Sequence, residues 1–516
     1  MIQLSSNNTP IFGSTFSKAD YKEFEKNGDS NYFESIIDNL ILEEYSVSDE
    51  LKDLIKSLPK EEKRISIALN LGDNKLWNQI NDVHKSDITR YRKIKKIIIL
   101  IREYVKTADV RRKTHGEILT PFDELAKPMV NLMDNYDADF WTDHTNKVLD
   151  SSAGYGTFLI LCLFKFMEGL VEFEPNEDLR LKHIIENQLY YGELQSRSVF
   201  SWLLAIDPYD DYSPNFYWGS FLSEEFDYHM KTVWKVEKFD LIIQNPPYQE
   251  QKPGFKKSQP LWHLFVQKSF TLLKNDKYMI MVHPSGWRNV DGVFKNTQTL
   301  LKSKQILELK MHGFKDGIET FGAQITYDYY CVRNSDNSND LKTNIICLDG
   351  EKCSFNLSKL DFIPSENIIE IQSLIAKEGE ERVKIIHSYS AYETRKNYMS
   401  REQSEEFKYP CIYTIVKGGR VNLFWSNTNN KGHFNQPKVI WSNGSATSPI
   451  IDENGDYGIT QFSYAIIDDR ENLNNIKTAL SNDYFKSKIM LFKGLGDIYN
   501  YKIISTFRKD FWKEFI

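Results

Sequence analysis

One ten-residue stretch constrains this chain more than any other: Phe239-Asp-Leu-Ile-Ile-Gln-Asn-Pro-Pro-Tyr248. Its apolar run reads as a buried strand, and two consecutive prolines end that strand. Each proline fixes φ near about −65° and removes a backbone donor, so the turn is stiff. Such a turn presents the Asn245 side-chain oxygen and the Pro246 carbonyl as fixed acceptors at the carboxyl edge of a sheet, where ligands bind in open α/β folds. Two fixed acceptors suit a planar NH2 group, and the Tyr248 ring can lie against a flat partner. The plainer reading is an ordinary diproline turn; the order and spacing of the four residues weigh against it.

The neighbouring segments predict an α/β parallel sheet. Short apolar runs at Val148-Leu149, Leu241–Ile243 and Tyr278–Val282 alternate with helical patterns over residues 157–168, 183–188, 196–205 and 262–273. Upstream, Leu40, Ile41, Tyr45, Leu51, Leu54, Ile55 and Leu58 recur at helical spacing. That region ends in a basic stretch from Arg90 to Lys113, which suits either a solvated helix face or contact with phosphates. A polar linker is expected at Arg333–Asp340. Beyond it, strand-like pieces at Val439–Trp441 and Phe462–Ile467 mix with Gly and Asn turns. The expected domains are 1–113, 114–335 and 336–516.

Composition sets outer limits. At 516 residues the chain exceeds one compact domain, and with 41% hydrophobic and 14% aromatic residues it can bury large cores. No apolar run of about eighteen residues predicts a membrane helix. No secretion signal is evident, and Cys162, Cys331, Cys347, Cys353 and Cys411 form no Cys-x-x-Cys pair, so a cytoplasmic protein without disulfides or zinc is expected. A net charge of −7 excludes a uniformly basic coat for nucleic acid but leaves room for a basic groove. The ten histidines show no metal-binding spacing, and His263 and His283 read as structural.

Two further segments bear on chemistry. In Val148-Leu-Asp-Ser-Ser-Ala-Gly-Tyr-Gly-Thr-Phe-Leu159 a strand ends at Asp150, and Gly154 and Gly156 let backbone approach a ligand closely. The N–H groups at the helix start near Thr157 favour a carboxylate. Many nucleotide folds carry such a turn, so alone it is weak. In Tyr190-Tyr-Gly-Glu-Leu194, Glu193 can accept hydrogen bonds from a ribose diol, although alone it would read as a surface acid.

Together, Asp-x-x-x-Gly-x-Gly, Gly-Glu and Asn-Pro-Pro-Tyr resemble the amino-group DNA methyltransferases that use S-adenosylmethionine. Their order resembles the gamma class of adenine-N6 enzymes of restriction-modification systems. The resemblance covers roughly residues 114–335. It implies a Rossmann-like S-adenosylmethionine-dependent methyltransferase core, with an α-helical N-terminal region and a C-terminal mixed α+β target-recognition domain. Gly116–Glu124 looks like the upstream cofactor motif, with Thr120 and Pro121 as its Thr-Pro. Implied cofactor contacts are Thr120, Pro121, Asp150, Ala153, Gly154, Gly156, Glu193, Ser220 and Asn245. Ser220 stands where the family usually has Asp, and Ser151-Ser152-Ala153 where Pro-Ala-Cys or Pro-Ser-Ala is common. Catalytic roles fall on Asn245, Pro246, Pro247 and Tyr248, with Phe321 as the second stacking aromatic.

The implied partner is double-stranded DNA from which the target base is flipped out. A restriction-system partner subunit is compatible, no metal is expected, and the sequence does not choose between monomer and dimer. Candidate DNA contacts are Lys256 and Lys257 after the catalytic turn, and Arg395, Lys396, Arg401, Lys408, Lys417 and Arg420 further on; each singly suits a solvated surface equally well. Rival readings are methylation of another planar amine (cytosine N4, an RNA base or protein glutamine), a fused nuclease using the Glu-x-Lys in Asp49-Glu-Leu-Lys52, and a non-enzymatic DNA-binding subunit.

Overall fold

In the computed structural model of the chain the described residues are 16–28, 31–44, 48–70, 74–109, 120–250, 258–289, 293–337, 341–360, 362–365, 368–387, 390–416, 418–442, 448–485 and 501–516. They form two compact units, Met1–Pro284 with Thr299–Thr343, and Ser285–Gln298 with Asn344–Ile516. The helical N-terminal region therefore shares a unit with the α/β sheet.

Seven strands of the main sheet belong wholly to the first unit: β1 (Val148–Asp150), β2 (Leu189–Glu193), β3 (Asn215–Trp218), β4 (Phe239–Gln244), β5 (Leu273–Pro284), β6 (Lys304–His312) and β7 (Tyr327–Asp336). Their order is β6-β7-β5-β4-β1-β2-β3. Strands β1 to β5 run parallel, and β7 lies antiparallel between β5 and β6. β1 and β4 are buried along their whole length, which is why they read as apolar runs without alternation. The strand order reverses between them, with Val148 beside Leu241 and Leu149 beside Ile242. A ligand crevice opens at such a switch point, outside the carboxyl ends of the strands.

Helices cover the sheet much as the periodicity predicts, at Thr157–Gly169, Glu177–Asn187, Ser196–Ile206 and Trp262–Leu272. The second begins six residues earlier than the apolar pattern alone indicates, because Asn176 caps it by accepting from the backbone N–H groups of Asp178 and Leu179. The expected linker at Arg333–Asp340 needs correcting, since Arg333–Asp336 completes β7. Its polar side chains serve the neighbouring strand: Asn334 Nδ2 donates to the carbonyls of Leu273 and Lys274, both at 3.2 Å.

The N-terminal region is helical throughout its described length, at Lys18–Asn27, Asn31–Glu44, Asp49–Ser57, Lys60–Asn70, Asn74–Lys85 and Arg90–Asp109. Arg64 clamps it to the turn after Ser196–Ile206: the buried guanidinium donates to Glu34 at 2.7 Å, to Asp38 at 3.4 Å and to the Asp207 carbonyl at 2.5 Å. Arg90, first of the basic stretch, pairs with Asp211 and lies 3.7 Å over the Tyr209 ring, so it is a structural ion. Asp49 and Lys52 pair with each other at 3.4 Å in the first turn of a capped helix.

The second unit is mixed α+β. One four-stranded sheet orders Lys384–Ile386, Ser463–Ile467, Lys438–Ser442 and Ile450–Asp452; another orders Met399–Ser400, Val421–Ser426, Tyr409–Ile415 and Gly458–Ile459. Trp441, Tyr464, Ile476, Phe507 and Phe511 share one of its cores. Among the described residues no helix is long and apolar enough to cross a membrane.

Candidate active site at the carboxyl edge of the sheet

Two turns leave adjacent strands and meet. After β1, Asp150 is buried, and burial holds its carboxyl well above the usual carboxylate range while the Ser152 N–H donates to it at 3.2 Å. Gly154 and Gly156 take left-handed φ values of 52° and 75°. A Cβ on Gly156 would come within 2.3 Å of the Trp202 ring, whereas a Cβ on Gly154 would meet no heavy atom within 4 Å. The first glycine thus borders open space, and the second allows the helix Thr157–Gly169 to start tight against Trp202. Glu193, at the end of β2, accepts from the Gly154 N–H at 2.8 Å and from the Leu194 and Gln195 N–H groups at 2.8 and 3.0 Å. Oε1 thus takes two of these donors and Oε2 one. Gly219 N–H donates to the Glu193 carbonyl at 2.9 Å, which places Ser220 next in line; the Ser220 hydroxyl accepts from its own turn, from Leu222 N–H at 3.3 Å. Ala153 holds the turn down through its N–H to the Gly192 carbonyl at 3.0 Å.

After β4 the diproline turn sits directly against this loop. Ser152 Oγ donates to the Asn245 carbonyl at 3.2 Å, and Ser151 Oγ pairs with Gln244 Oε1. Gln244, fully buried, passes the contact on by donating to Ser269 Oγ at 2.7 Å. The Asn245 amide donates from Nδ2 to Thr120 Oγ1 at 3.1 Å, while Oδ1 is buried with no hydrogen-bond partner among the described residues. Thr120 therefore lies at the diproline turn, and Pro121 leads into the π-helix Phe122–Ala126. Pro246 is buried and Pro247 exposed. An unpaired buried acceptor costs about 1–3 kcal/mol.

Tyr248 is buried, and its ring stands edge to face on Phe321 at 5.9 Å and 89°. Phe321 closes the helix Phe314–Phe321 and packs on Tyr327 at 4.9 Å. Burial raises the Tyr248 phenol well above its ordinary value, with the Tyr327 hydroxyl nearby adding to the shift. His283 stacks on Trp262 at 4.0 Å and meets the Tyr330 hydroxyl at 2.8 Å; burial lowers it to about 3, the state of a neutral structural ring.

The structure thus brings Thr120, Pro121, Asp150, Ala153, Gly154, Gly156, Glu193, Ser220, Asn245, Tyr248 and Phe321 to one edge of one unit. Arg395, Lys396, Arg401, Lys408 and Arg420 belong to the second unit. Arg395 is exposed and pairs with Glu393, Lys396 stands 4.0 Å from the same carboxylate, and Arg420 is exposed beside a turn. Residues 116–119, Lys256, Lys257 and Lys417 lie outside the described residues. Sequence reasoning missed Ser152, Ser151 and Gln244 as links between the two turns. The signal was present: a hydroxyl at Ser151 where the resembled family carries proline, and one polar residue ending an apolar run.

The strand order, with its reversed seventh strand and two turns at the switch point, defines a Rossmann-like methyltransferase fold. A family model described as Eco57I restriction-modification methylase matches residues 157–315, a span that includes the diproline turn. A Mycoplasma pneumoniae protein described as an uncharacterized adenine-specific methylase is 27% identical over 190 residues, covering 35% of this chain and 44% of that protein. The match therefore spans less than half of that curated relative. Similar solved structures include a nuclease-deletion mutant of the Type ISP restriction-modification enzyme LlaGI with a DNA substrate mimic (TM-score 0.46, 10% identity, 92% of this chain and 64% of that one). Another is a modification subunit of a putative type I restriction enzyme from Vibrio vulnificus YJ016 (TM-score 0.39, 16% identity, 69% and 68%).

Proposed function

We propose that this chain transfers a methyl group from S-adenosylmethionine to the N6 amine of an adenine turned out of double-stranded DNA. The observation that carries the reading is Asn245 Oδ1, a buried acceptor with no partner among the described residues, on a stiff turn beside the glycine loop. The residues fit the cofactor: open space borders Gly154, and Glu193 lies against that glycine's amide, placed for a ribose diol. Asp150, Ala153 and Gly156 shape the loop, and Ser220 would accept from the adenine edge of the cofactor. When bound, the cofactor would supply an electrophilic sulfonium methyl and depart as the thioether S-adenosylhomocysteine, while the methylated amine would lose one proton to water.

The adenine amine is a poor nucleophile because its lone pair is delocalised into the ring. Asn245 Oδ1 and the Pro246 carbonyl, accepting from its two N–H groups, favour a pyramidal nitrogen whose lone pair faces the methyl. Acceleration then comes mainly from positioning and from dipoles fixed before the reaction. Extruding the base costs a few kcal/mol. Stacking on Tyr248 and Phe321 offsets this by about 1–3 kcal/mol per base. Since those rings now meet edge to face, a base between them requires Tyr248 to turn and the rings to part to about 7 Å, two van der Waals contacts of about 3.5 Å each.

In this reading the second unit, with Arg395, Lys396, Arg401, Lys408, Lys417 and Arg420, reads sequence and holds phosphates, and Lys256 and Lys257 hold the backbone of the extruded nucleotide. The test is transfer of labelled methyl to unmethylated DNA, RNA and a protein panel, followed by nucleoside and amino-acid analysis. N6-methyladenine in DNA is the expected product. N4-methylcytosine, methylated RNA or methylglutamine would transfer the assignment to that substrate.

A further inference from the structure

We infer that Thr120 and Ser152 are positioning residues that hold Asn245 with its Oδ1 facing the substrate. The inference rests on the proposed amine methylation and deepens it. A primary amide has a donor end and an acceptor end of nearly the same shape, and Asn245 has no internal means of choosing which end points at the ligand. Thr120 engages the donor end. Its hydroxyl oxygen accepts from Nδ2 at 3.1 Å and leaves Oδ1 buried without a partner among the described residues.

Thr120 is itself held, because the next residue anchors a π-helix: the Pro121 carbonyl accepts from Leu125 and Ala126 N–H groups at 3.3 and 2.9 Å. Ser152 secures the other end of Asn245 by donating to its main-chain carbonyl at 3.2 Å. Side chain and backbone of the asparagine are thus gripped from two different loops. With the amide reversed, Nδ2 would oppose the N–H donors of an amine and would suit the keto edge of guanine or thymine instead. An unpaired donor-against-donor contact in a buried site is strongly disfavoured.

The test uses the full chain and the DNA that the wild-type protein methylates. Thr120→Val keeps the shape and removes the hydrogen bond. Turnover should fall by about 10–100-fold while KM for DNA and the dissociation constant for S-adenosylmethionine, measured by calorimetry, stay within about 2-fold. Thr120→Ser should recover most of the rate. Ser152→Ala should lower turnover by about 2–10-fold, the worth of one hydrogen bond. In an Asn245→Ala background Thr120→Val should cost nothing more, because there is no amide left to orient. Equal loss of cofactor affinity and turnover in Thr120→Val would make the threonine a cofactor ligand and overturn the inference, as would full multiplication of the two single-variant losses. If the wild type methylates RNA or protein instead of DNA, the DNA assignment fails, and the same variants assayed on that acceptor still decide the role of Thr120. Absence of transfer to every amine acceptor overturns both.

Discussion

The glycine turn after β1 and the diproline turn after β4 leave neighbouring strands and solve opposite problems. The first gives up side chains and leaves open space beside Gly154. The second gives up backbone freedom so that two acceptors keep their aim. The contrast teaches that one half of the site is shaped by what is absent and the other by what cannot move. Ser151 and Ser152 join the halves, so a shift in either turn is felt in both.

The contrast can be broken most severely on the stiff side. Asn245→Ala removes the unpaired acceptor, and methyl transfer should fall by about 10²–10³-fold, the loss seen when one preorganised partner of a reacting group is deleted. Calorimetric binding of S-adenosylmethionine should persist; loss of binding in parallel would make Asn245 a cofactor residue first.

On the open side the two glycines should separate. Gly156→Ala drives a methyl into Trp202 at a left-handed φ, and stability to urea should drop by about 2–4 kcal/mol. Gly154→Ala meets no protein atom, so stability should fall by only about 1–2 kcal/mol, from the left-handed backbone alone. Its cofactor affinity should nevertheless weaken by about tenfold or more, because the new methyl occupies the ligand's space. Equal affinity in the two variants would contradict the division of labour.

Tyr248→Ala should weaken binding to DNA with the target base extruded, or opposite an abasic site, by about 5–150-fold, equivalent to about 1–3 kcal/mol of stacking. Binding to intact duplex should change less. Equal losses on both would argue that Tyr248 only supports the turn.

The smallest effect concerns Asp150. Its folded pKa is raised by burial, so the stability it allows is fully present below the unfolded value of about 4 and declines as pH climbs toward the folded value. Asp150→Asn keeps the acceptor for the Ser152 N–H and abolishes the charge. Denaturation curves should show the variant gaining on wild type from about pH 4 upward and matching it below. A constant difference across that range would contradict the assignment of the shift to burial.

Much of the first unit was legible because its constraints are local. β1 and β4 are buried from end to end around the apolar runs Val148-Leu149 and Leu241–Ile243, and both turns are written in glycine and proline, residues with few other uses at a strand end. Where polar residues sit inside a strand the reading failed. The start of β5 carries Lys274, Asn275 and Asp276, the last with φ of 60°, and the end of β7 reads as linker until Asn334 is seen donating to the carbonyls of Leu273 and Lys274. The hold of Thr120 on Asn245 joins residues 125 positions apart, a distance no periodicity reports. In the second unit most strands are short and several are half-exposed, so neither alternation nor apolar runs build up; Val439–Trp441 and Phe462–Ile467 stood out because Lys438–Ser442 and most of Ser463–Ile467 are buried on both faces.

The most direct measurement is single-molecule sequencing of DNA from cells expressing the wild-type chain or Asn245→Ala, read for modified bases and their flanking sequence. The account predicts N6-methyladenine at one defined sequence with the wild type and none with the variant. Modified adenines that persist with Asn245→Ala, or wild-type DNA free of modified adenines while the purified chain methylates another acceptor, would contradict it.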